Sequence, residues 1–173
     1  MTRIFALLLV TVCPAYADIA HGDLQISLPM LRDTPPTAPV AGGFMTIANM
    51  GDADDVLTTA TIDADFVGEV QLHKMEMEDG VMKMSEVEGG IAVPAGETVY
   101  LQPGGLHLML MGLSEPLTAG EAYEMTLTFA EAGDVVVEFP VLTLGEIRAT
   151  LEEAGTMDHG MKGHGEDATQ TGN

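Results

Sequence analysis

Cysteine and aromatic residues are scarce in this chain of 173 residues. Cys13 is the single cysteine, there is no tryptophan, and Phe, Trp and Tyr together make up 5% of the residues. One cysteine cannot form an internal disulfide or a thioredoxin-like redox pair. Because Cys13 lies in an N-terminal segment that we expect to be removed, a cysteine nucleophile and a blue-copper electron-transfer centre, which needs a thiolate ligand, are excluded too.

Basic residues are also few. Lys and Arg number 6 against 27 Asp and Glu, which gives a formal net charge of −21. Such a chain repels the phosphates of nucleic acids and anionic membrane surfaces, so neither is an expected partner. The carboxylates are spread along the chain without the spacing of a calcium loop. The simplest interpretation of this acidity is solubility, with a mild attraction to cations and to basic partner surfaces.

No apolar run is long enough to cross a membrane. The run from Ile4 to Val12 is short, Arg3 precedes it, and Ala15-Tyr16-Ala17 follows as a small-residue cleavage site. These are the features of a cleavable signal peptide, which we predict over residues 1–17, with export to the periplasm and no membrane insertion afterwards. Val12 before Cys13 makes that cysteine a poor lipidation site.

Catalytic motifs are missing as well. We find no nucleophile–base arrangement, no phosphate-binding loop and no HExxH zinc helix, and the context of Ser85 and Ser114 is not that of a catalytic serine. We therefore predict that the protein is not an enzyme.

Short extended runs separated by turns fill the chain from Leu24 onward and predict an all-β sandwich. We expect one β-sandwich domain over residues 18–145, a short helix or linker over 146–155, and a flexible tail over 156–173. The strands are predicted at 24–31, 43–49, 56–62, 66–77, 99–101, 106–111, 123–129 and 135–141, and the helix at 144–154.

Histidine and methionine recur at two-residue spacing in the middle of the chain. Side chains two residues apart in a strand share a face. Asp79-Gly80 is a strong two-residue hairpin signal, and such a turn would pair Met77 with Met82 and Met75 with Met84. The hairpin would then carry five of these side chains on one face. They are His73, Met75, Met77, Met82 and Met84. Downstream, His107, Met109 and Met111 share a face in the same way, opposite their leucine neighbours.

This set of ligands suits a soft metal ion. Thioether sulfur is soft and neutral, and together with imidazole it favours Cu(I) over zinc or hard cations. A binding site of this kind serves storage and transfer better than catalytic turnover. Two alternatives to a metal site stay open: the methionines fill gaps in the core, or they form an adaptable protein-binding surface. The protein would then be a β-sandwich interaction or assembly module without metal.

The tail repeats the same residue types. Met157, His159, Met161 and His164 lie in a polar, glycine-rich segment. Short histidine-rich tracts often bind metal. We therefore expect an accessory site there, which would capture copper or hold a Cu(II) ion through the imidazoles.

The run LHKMEMEDGVMKMSEVEGG, followed by VPAGETVYLQPGGLHLMLMGL, closely resembles the PCuAC family of periplasmic copper chaperones. The similarity extends over roughly residues 24–141. It implies a cupredoxin-like Greek-key β-sandwich that binds Cu(I) through His73, Met84, His107 and Met109. Met75, Met77, Met82 and Met111 are further candidate ligands, because the spacing leaves open which methionine near Met84 is the second ligand.

The resemblance also implies a function. Members are thought to deliver copper to a partner such as an oxidase subunit or another copper chaperone, particularly for assembly of the CuA site of cytochrome c oxidase. We expect a monomeric carrier of this kind. A copper-tolerance buffer without a delivery partner is not separated from a carrier by the sequence.

Overall fold

Eleven β-strands and one helix make up the part of the chain that the computed structural model describes, residues 18–78 and 80–155. The strands are β1 (Ile19–His21), β2 (Leu24–Arg32), β3 (Val40–Asn49), β4 (Asp55–Ile62), β5 (Glu69–Glu78), β6 (Val81–Glu86), β7 (Ile91–Val93), β8 (Thr98–Leu101), β9 (His107–Met111), β10 (Ala122–Phe129) and β11 (Gly133–Leu142), and the helix is α1 (Leu144–Glu153).

Alternation of apolar and polar residues explains most of these strands. In β11 the side chains of Val135, Val137, Phe139 and Val141 are buried, while the residues between them are exposed or half-buried. Since successive side chains of a strand point to opposite faces, one face of β11 covers the core and the other meets solvent.

Hydrogen bonding joins the strands in the order β6-β5-β9-β3-β2-β11-β10-β4-β7, with β1 added beside β2 and β8 beside β3. All pairs are antiparallel except β11 with β2, which run parallel where Val141 pairs with Leu31. The sheet does not close. Its two ends fold over a common core that takes Leu72 and Leu108 from one side and Leu57 and Leu127 from the other. The fold is the predicted cupredoxin-like β-sandwich.

The helix packs against β2 and β11. Thr143 accepts a hydrogen bond from the Glu146 backbone, and the Glu146 carboxylate accepts one from the Thr143 N–H, a reciprocal cap that fixes the first turn. Ile147 and Leu151 are buried in a second, smaller cluster with Met30 and Phe44. The short helix predicted after the sandwich is thus present.

The structure corrects several details. Strands β1 and β7 were not predicted, and β5 begins at Glu69 rather than near residue 66. Asp55 is buried, although it follows Asp52 and Asp54 in an acidic run for which we expected a solvated turn. Its carboxylate accepts hydrogen bonds from the backbone N–H groups of Val56, Glu131 and Ala132.

Four methionines lie outside the predicted signal peptide, residues 73–111 and the tail, and we expected them to be core or loop residues. Met30, Met45 and Met125 are buried in the core, and Met50 is an exposed loop residue. Between residues 18 and 155, leaving out 79, no helix is long and apolar enough to cross a membrane. The predicted signal peptide and the predicted metal-binding tail lie outside the described residues.

Candidate metal centre

Two histidines lie opposite each other on neighbouring strands. His73 of β5 pairs directly with His107 of β9, so their side chains project from the same face of the sheet. The ring centroids are 5.8 Å apart and the ring planes are inclined by 57°. The two imidazoles are therefore close enough to bind one small ligand between them.

The hairpin has the register that the sequence predicted. Met75 pairs with Met84, Met77 with Met82, and Glu78 with Val81. Gly80 has a φ of +78°, the left-handed conformation that a two-residue hairpin turn requires and that glycine adopts without strain. The methionines of both hairpin strands consequently share the face of His73. We call the face that carries His73, Met75, Met84, His107 and Met109 the His/Met face.

Strand β9 alternates as predicted. Leu108 and Leu110 are fully buried in the core, and His107 and Met109 point the other way. That outer side is nevertheless covered, since His107 is 5% exposed and Met109 is 9% exposed. Both residues line a cleft of about 370 Å³, together with Met75, Phe44 and Arg32.

Hydrogen bonding defines the state of His107. Its Nδ1 lies 3.0 Å from the Gly105 carbonyl oxygen, which can only accept, so Nδ1 carries the proton and Nε2 keeps a lone pair. Burial lowers the pKa of His107, the Gly105 hydrogen bond opposes this shift, and the nearby His73 ring adds to it. The ring therefore favours the neutral form, which is the form that binds a metal.

His73 is held differently. Its Nε2 lies 2.8 Å from Oε1 of Gln71, while its Nδ1 is buried and has no hydrogen-bond partner. A buried polar atom without a partner is costly in a folded protein and is a common feature of functional sites. The pair thus offers Nδ1 of His73, which has no protein partner, and the lone pair on Nε2 of His107, which the Gly105 hydrogen bond does not use.

The candidate methionines differ in position. Met75 lines the cleft with His107 and Met109, whereas Met84 lies opposite Met75 on the edge strand β6 and is 48% exposed. Met77 and Met82 form an exposed pair nearer the hairpin tip. Met111 pairs with Glu69 at the other end of β5, away from the histidine pair.

Among the residues that the structure describes, no three side chains of His, Cys, Asp or Glu converge as a metal site. The candidate ligands on the His/Met face are the two imidazoles and the neighbouring thioethers.

Three groups at this site were not predicted from the sequence. They are the carboxylate of Glu69, the amide of Gln71 and the carbonyl of Gly105, which accepts hydrogen bonds from both the Met75 N–H and the His107 ring. A signal for the first two was present, because Glu69 and Gln71 precede His73 at the same two-residue period. The Gly105 contact depends on how two distant segments meet.

Comparisons with known proteins agree with the fold. A curated relative, "Putative lipoprotein Lxx21020" of Leifsonia xyli subsp. xyli, is 36% identical over 102 residues, which are 59% of this chain and 60% of the relative. The chain thus spans about three-fifths of that relative's length.

Two solved structures are 28% identical to the chain. The copper-bound PCuAC domain from PmoF2 superposes with a TM-score of 0.60, covering 73% of this chain and 98% of that domain. The Cu(I) form of DR1885 from Deinococcus radiodurans superposes with a TM-score of 0.50, covering 68% of this chain and 78% of that one. The resemblance to PCuAC proteins is thereby confirmed.

Residues 24–141 match the family described as "Putative lipoprotein LpqE-like". This match covers more than half of the chain and includes every strand that carries the His/Met face. The protein therefore belongs to the LpqE-like family, and it is of the PCuAC type.

Proposed function

We propose that this protein is an exported Cu(I)-binding metallochaperone that carries copper and passes it to a partner protein. The observation that carries the proposal is the His73–His107 pair, in which Nδ1 of His73 has no protein partner and Nε2 of His107 keeps a lone pair, on a face rich in thioethers. The family and fold are those of copper chaperones, and the PmoF2 and DR1885 neighbours are structures of copper-bound proteins.

The ligand set follows from donor chemistry. His73, His107 and Met109 supply two neutral imidazoles and one thioether, and a hairpin methionine completes a soft, uncharged site that favours Cu(I). Family resemblance assigns the fourth position to Met84. Met75 is the competing choice, because it lines the cleft that holds His107 and Met109.

Exposure of the ligands suits a carrier better than a catalyst. His107 and Met109 are buried, while Met84 lies on an exposed edge strand. A partner can therefore approach the ion from the hairpin side and replace the thioether of Met84 before the buried ligands release it. Stepwise exchange of this kind transfers the ion without setting it free in solution.

The recipient that the resemblance suggests is the CuA site of cytochrome c oxidase. Delivery can be separated from mere buffering of copper by mixing the Cu(I)-loaded protein with an apo CuA domain. Transfer to that domain, followed by its visible absorption after oxidation, supports a carrier. Retention of copper by the present protein supports a copper-tolerance buffer.

The direct test of the proposal is a Cu(I) competition titration against a chromogenic Cu(I) chelator. The proteins would be residues 18–173, residues 18–155, and the H107A, M84L and M75L variants of the longer form. We expect both lengths to bind one Cu(I) tightly. Because loss of an outer hydrogen-bond partner already weakens metal sites by about 10–100-fold, H107A should lose at least that much affinity.

The two methionine variants identify the fourth ligand. A larger loss in M84L than in M75L supports Met84, and the reverse result supports Met75. Copper binding that disappears in residues 18–155 would contradict the proposal, since the folded face would then be packing only and the site would lie in the tail with Met157, His159, Met161 and His164.

A second candidate function rests on the exposed hairpin. Met77 is 66% exposed, and Val81 and Met82 are also exposed, an unusual apolar surface for an edge strand. Such a surface fits an interaction or assembly module that binds a protein through its Met-rich face without metal. Under this alternative H107A would leave partner binding unchanged, whereas polar substitutions at Met77 and Met82 would abolish it.

Export is proposed on the sequence of the N-terminal segment and on the lipoprotein descriptions of the family. Intact mass of the protein recovered from the periplasm distinguishes two routes. Cleavage after Ala17 gives a chain that begins at Asp18, as we propose. A lipid-modified mass beginning at Cys13 would show that the protein is anchored instead.

A further inference from the structure

A chain of hydrogen bonds runs along the outer side of β5 to His73. The Gln71 amide nitrogen lies 2.8 Å from Oε1 of Glu69, and the Gln71 amide oxygen lies 2.8 Å from Nε2 of His73. The three residues alternate along the strand, so they share one face. Gln71 also pairs with Met109 across the β5–β9 ladder, which places the chain inside the His/Met face.

The orientation of the Gln71 amide is determined by Glu69. A carboxylate can only accept hydrogen bonds, so the Gln71 atom that faces it must be the NH₂ group. The reversed amide would direct its carbonyl oxygen at the carboxylate and repel it. The amide oxygen of Gln71 therefore faces His73, and it too can only accept.

This orientation determines where the His73 proton lies. Because the Gln71 oxygen accepts, His73 must donate from Nε2, and its lone pair is on Nδ1. That Nδ1 is the buried atom without a hydrogen-bond partner. His107 has the opposite arrangement, with its proton on Nδ1 toward Gly105 and its lone pair on Nε2.

We propose that Gln71, oriented by Glu69, is a positioning residue that keeps His73 in the Nε2-protonated tautomer, so that the two histidines bind copper through unlike nitrogens. His73 would bind through Nδ1 and His107 through Nε2. The copper part rests on the proposed function, whereas the tautomer is a property of the protein without metal.

The consequence for affinity is specific. Hydrogen-bond partners of metal-binding histidines typically contribute about 10–100-fold to metal affinity by holding the ring and its tautomer. Gln71→Leu keeps a side chain of similar length and removes the acceptor, so His73 can rotate or populate both tautomers. Glu69→Leu removes only the group that orients Gln71, so its effect should be smaller, and Glu69→Gln retains an acceptor oxygen and should have little effect.

The test combines NMR and copper titration on the exported chain, residues 18–173. Long-range ¹H–¹⁵N correlation spectra of the metal-free protein, at a pH where the rings are neutral, distinguish protonated from unprotonated ring nitrogens. We expect His73 protonated at Nε2 and His107 at Nδ1. In Q71L the His73 signals should move toward a mixture of tautomers, while those of His107 stay in place.

The control variant is Gln25→Leu. Gln25 lies on β2, away from the His/Met face, and its amide also donates a hydrogen bond to a carboxylate, that of Asp18. This variant should change neither the tautomers nor the affinity. Cu(I) titration of Q71L should show a loss of about 10–100-fold against both wild type and Q25L.

The outcomes separate the two proposals. Wild-type His73 protonated at Nδ1, or Q71L with unchanged tautomer and unchanged Cu(I) affinity, overturns the inference about Gln71 and leaves the copper function intact. An altered tautomer with unchanged Cu(I) affinity overturns the positioning role alone. Wild-type protein that binds no Cu(I) overturns the proposed function, and the NMR spectra still decide whether Gln71 sets the tautomer.

Discussion

Methionines on the His/Met face differ widely in their exposure to solvent. Met109 is 9% exposed, whereas Met84, which the family resemblance assigns to the same metal ion, is 48% exposed. The difference arises because Met109 lies inside the cleft on β9, which has a neighbouring strand on each side, whereas Met84 lies on the edge strand β6. Reagents in solution therefore reach Met84 more easily than Met109.

Oxidation can be used to identify the fourth ligand. Peroxide converts exposed methionine to its sulfoxide, so Met84 and Met50 should both oxidise early in the metal-free protein. Ag(I), a soft ion that does not generate radicals from peroxide, should slow the oxidation of Met84 several-fold. Met50, which is 73% exposed in a distant loop, is the matched control and should not change. Peptide mass spectrometry measures both rates. Protection of Met75 without protection of Met84 would assign the position to Met75.

The buried His107 should make stability depend on pH. Burial lowers its pKa in the folded protein below the ordinary value of 6.5, so below pH 6.5 the unfolded chain binds more protons than the folded one. Stability contributed by this residue is therefore complete above pH 6.5 and decreases as the pH falls toward the folded-state pKa. The slope for one proton is at most about 1.4 kcal/mol per pH unit.

Urea denaturation of wild type and His107→Gln at pH 7.5, 6.5 and 5.5 measures this effect. The free energy of unfolding of wild type minus that of the variant should decrease below pH 6.5. All other titrating groups are common to both proteins, so the contributions of those that do not interact with His107 cancel. A difference that does not vary with pH would show that burial does not affect the protonation of His107.

At the scale of elements, β3 supports the site because it pairs with β9, the strand that carries His107 and Met109. It pairs with β2 on one side and with β9 on the other, and Gly42 and Gly43 lie opposite Met109 and Leu108. A Cβ atom at Gly43 would lie 3.0 Å from Cδ2 of Leu31 and 3.2 Å from Cβ of Leu108. An added methyl group would therefore press on two buried leucines that pack directly on the glycine backbone.

Two glycine substitutions should have opposite effects. Gly43→Ala overfills the core and should reduce the free energy of unfolding by about 1–3 kcal/mol. Gly145→Ala lies in α1, where an added Cβ would have its nearest neighbour at 3.9 Å, the Thr143 hydroxyl oxygen. Since alanine favours helix over glycine, that variant should gain up to about 1 kcal/mol. Chemical denaturation measures both, and an unchanged Gly43→Ala protein would contradict the packing argument.

The β5–β6 hairpin, which carries Met84, gains little stability from its ion pairs. Two ion pairs join its described residues, Lys74 with Glu76 at 2.9 Å and Lys83 with Glu78 at 2.7 Å; their side chains are exposed, so they contribute little to stability. Lys83 does place a charge on the edge strand β6, which disfavours pairing with another edge strand. The hairpin can thus stay accessible to a partner without promoting aggregation.

At the scale of the whole molecule, the main feature is the large excess of negative charge. The net charge of −21 leaves most carboxylates without a cationic partner, and mutual repulsion opposes the compact state. Repulsion of this kind also keeps protein molecules apart, in agreement with the expectation of a monomer.

Salt should therefore stabilise the fold. Raising NaCl from 10 mM to 150 mM shortens the Debye length from about 30 Å to about 8 Å. The thermal midpoint should rise over this range and change little above it, because the repulsion is then largely screened. KCl at equal ionic strength is the control for ion identity and should act equally. A midpoint that does not respond below 150 mM would show that the carboxylates do not repel one another appreciably.

The long alternating strands and the capped helix were predictable, because their patterns lie within a few consecutive residues. Strands β1 and β7, with three residues each, are too short to show alternation. The burial of Asp55 was not predictable, since its partners Glu131 and Ala132 lie far away in the sequence. Gln71 was missed because a glutamine has no metal chemistry of its own here, and its role depends on hydrogen bonds that only the folded strand shows.

The sequence by itself determined which side chains share a face and how the hairpin pairs. Both follow from the two-residue period of a strand and from a two-residue turn at Gly80, which are local properties of the backbone. Only the tertiary structure decided that β9 lies beside β5 with His107 opposite His73, and that the loop after β2 and strand β3 line the cleft that holds His107 and Met109. Those features depend on packing the whole core, which brings together segments that no local pattern connects.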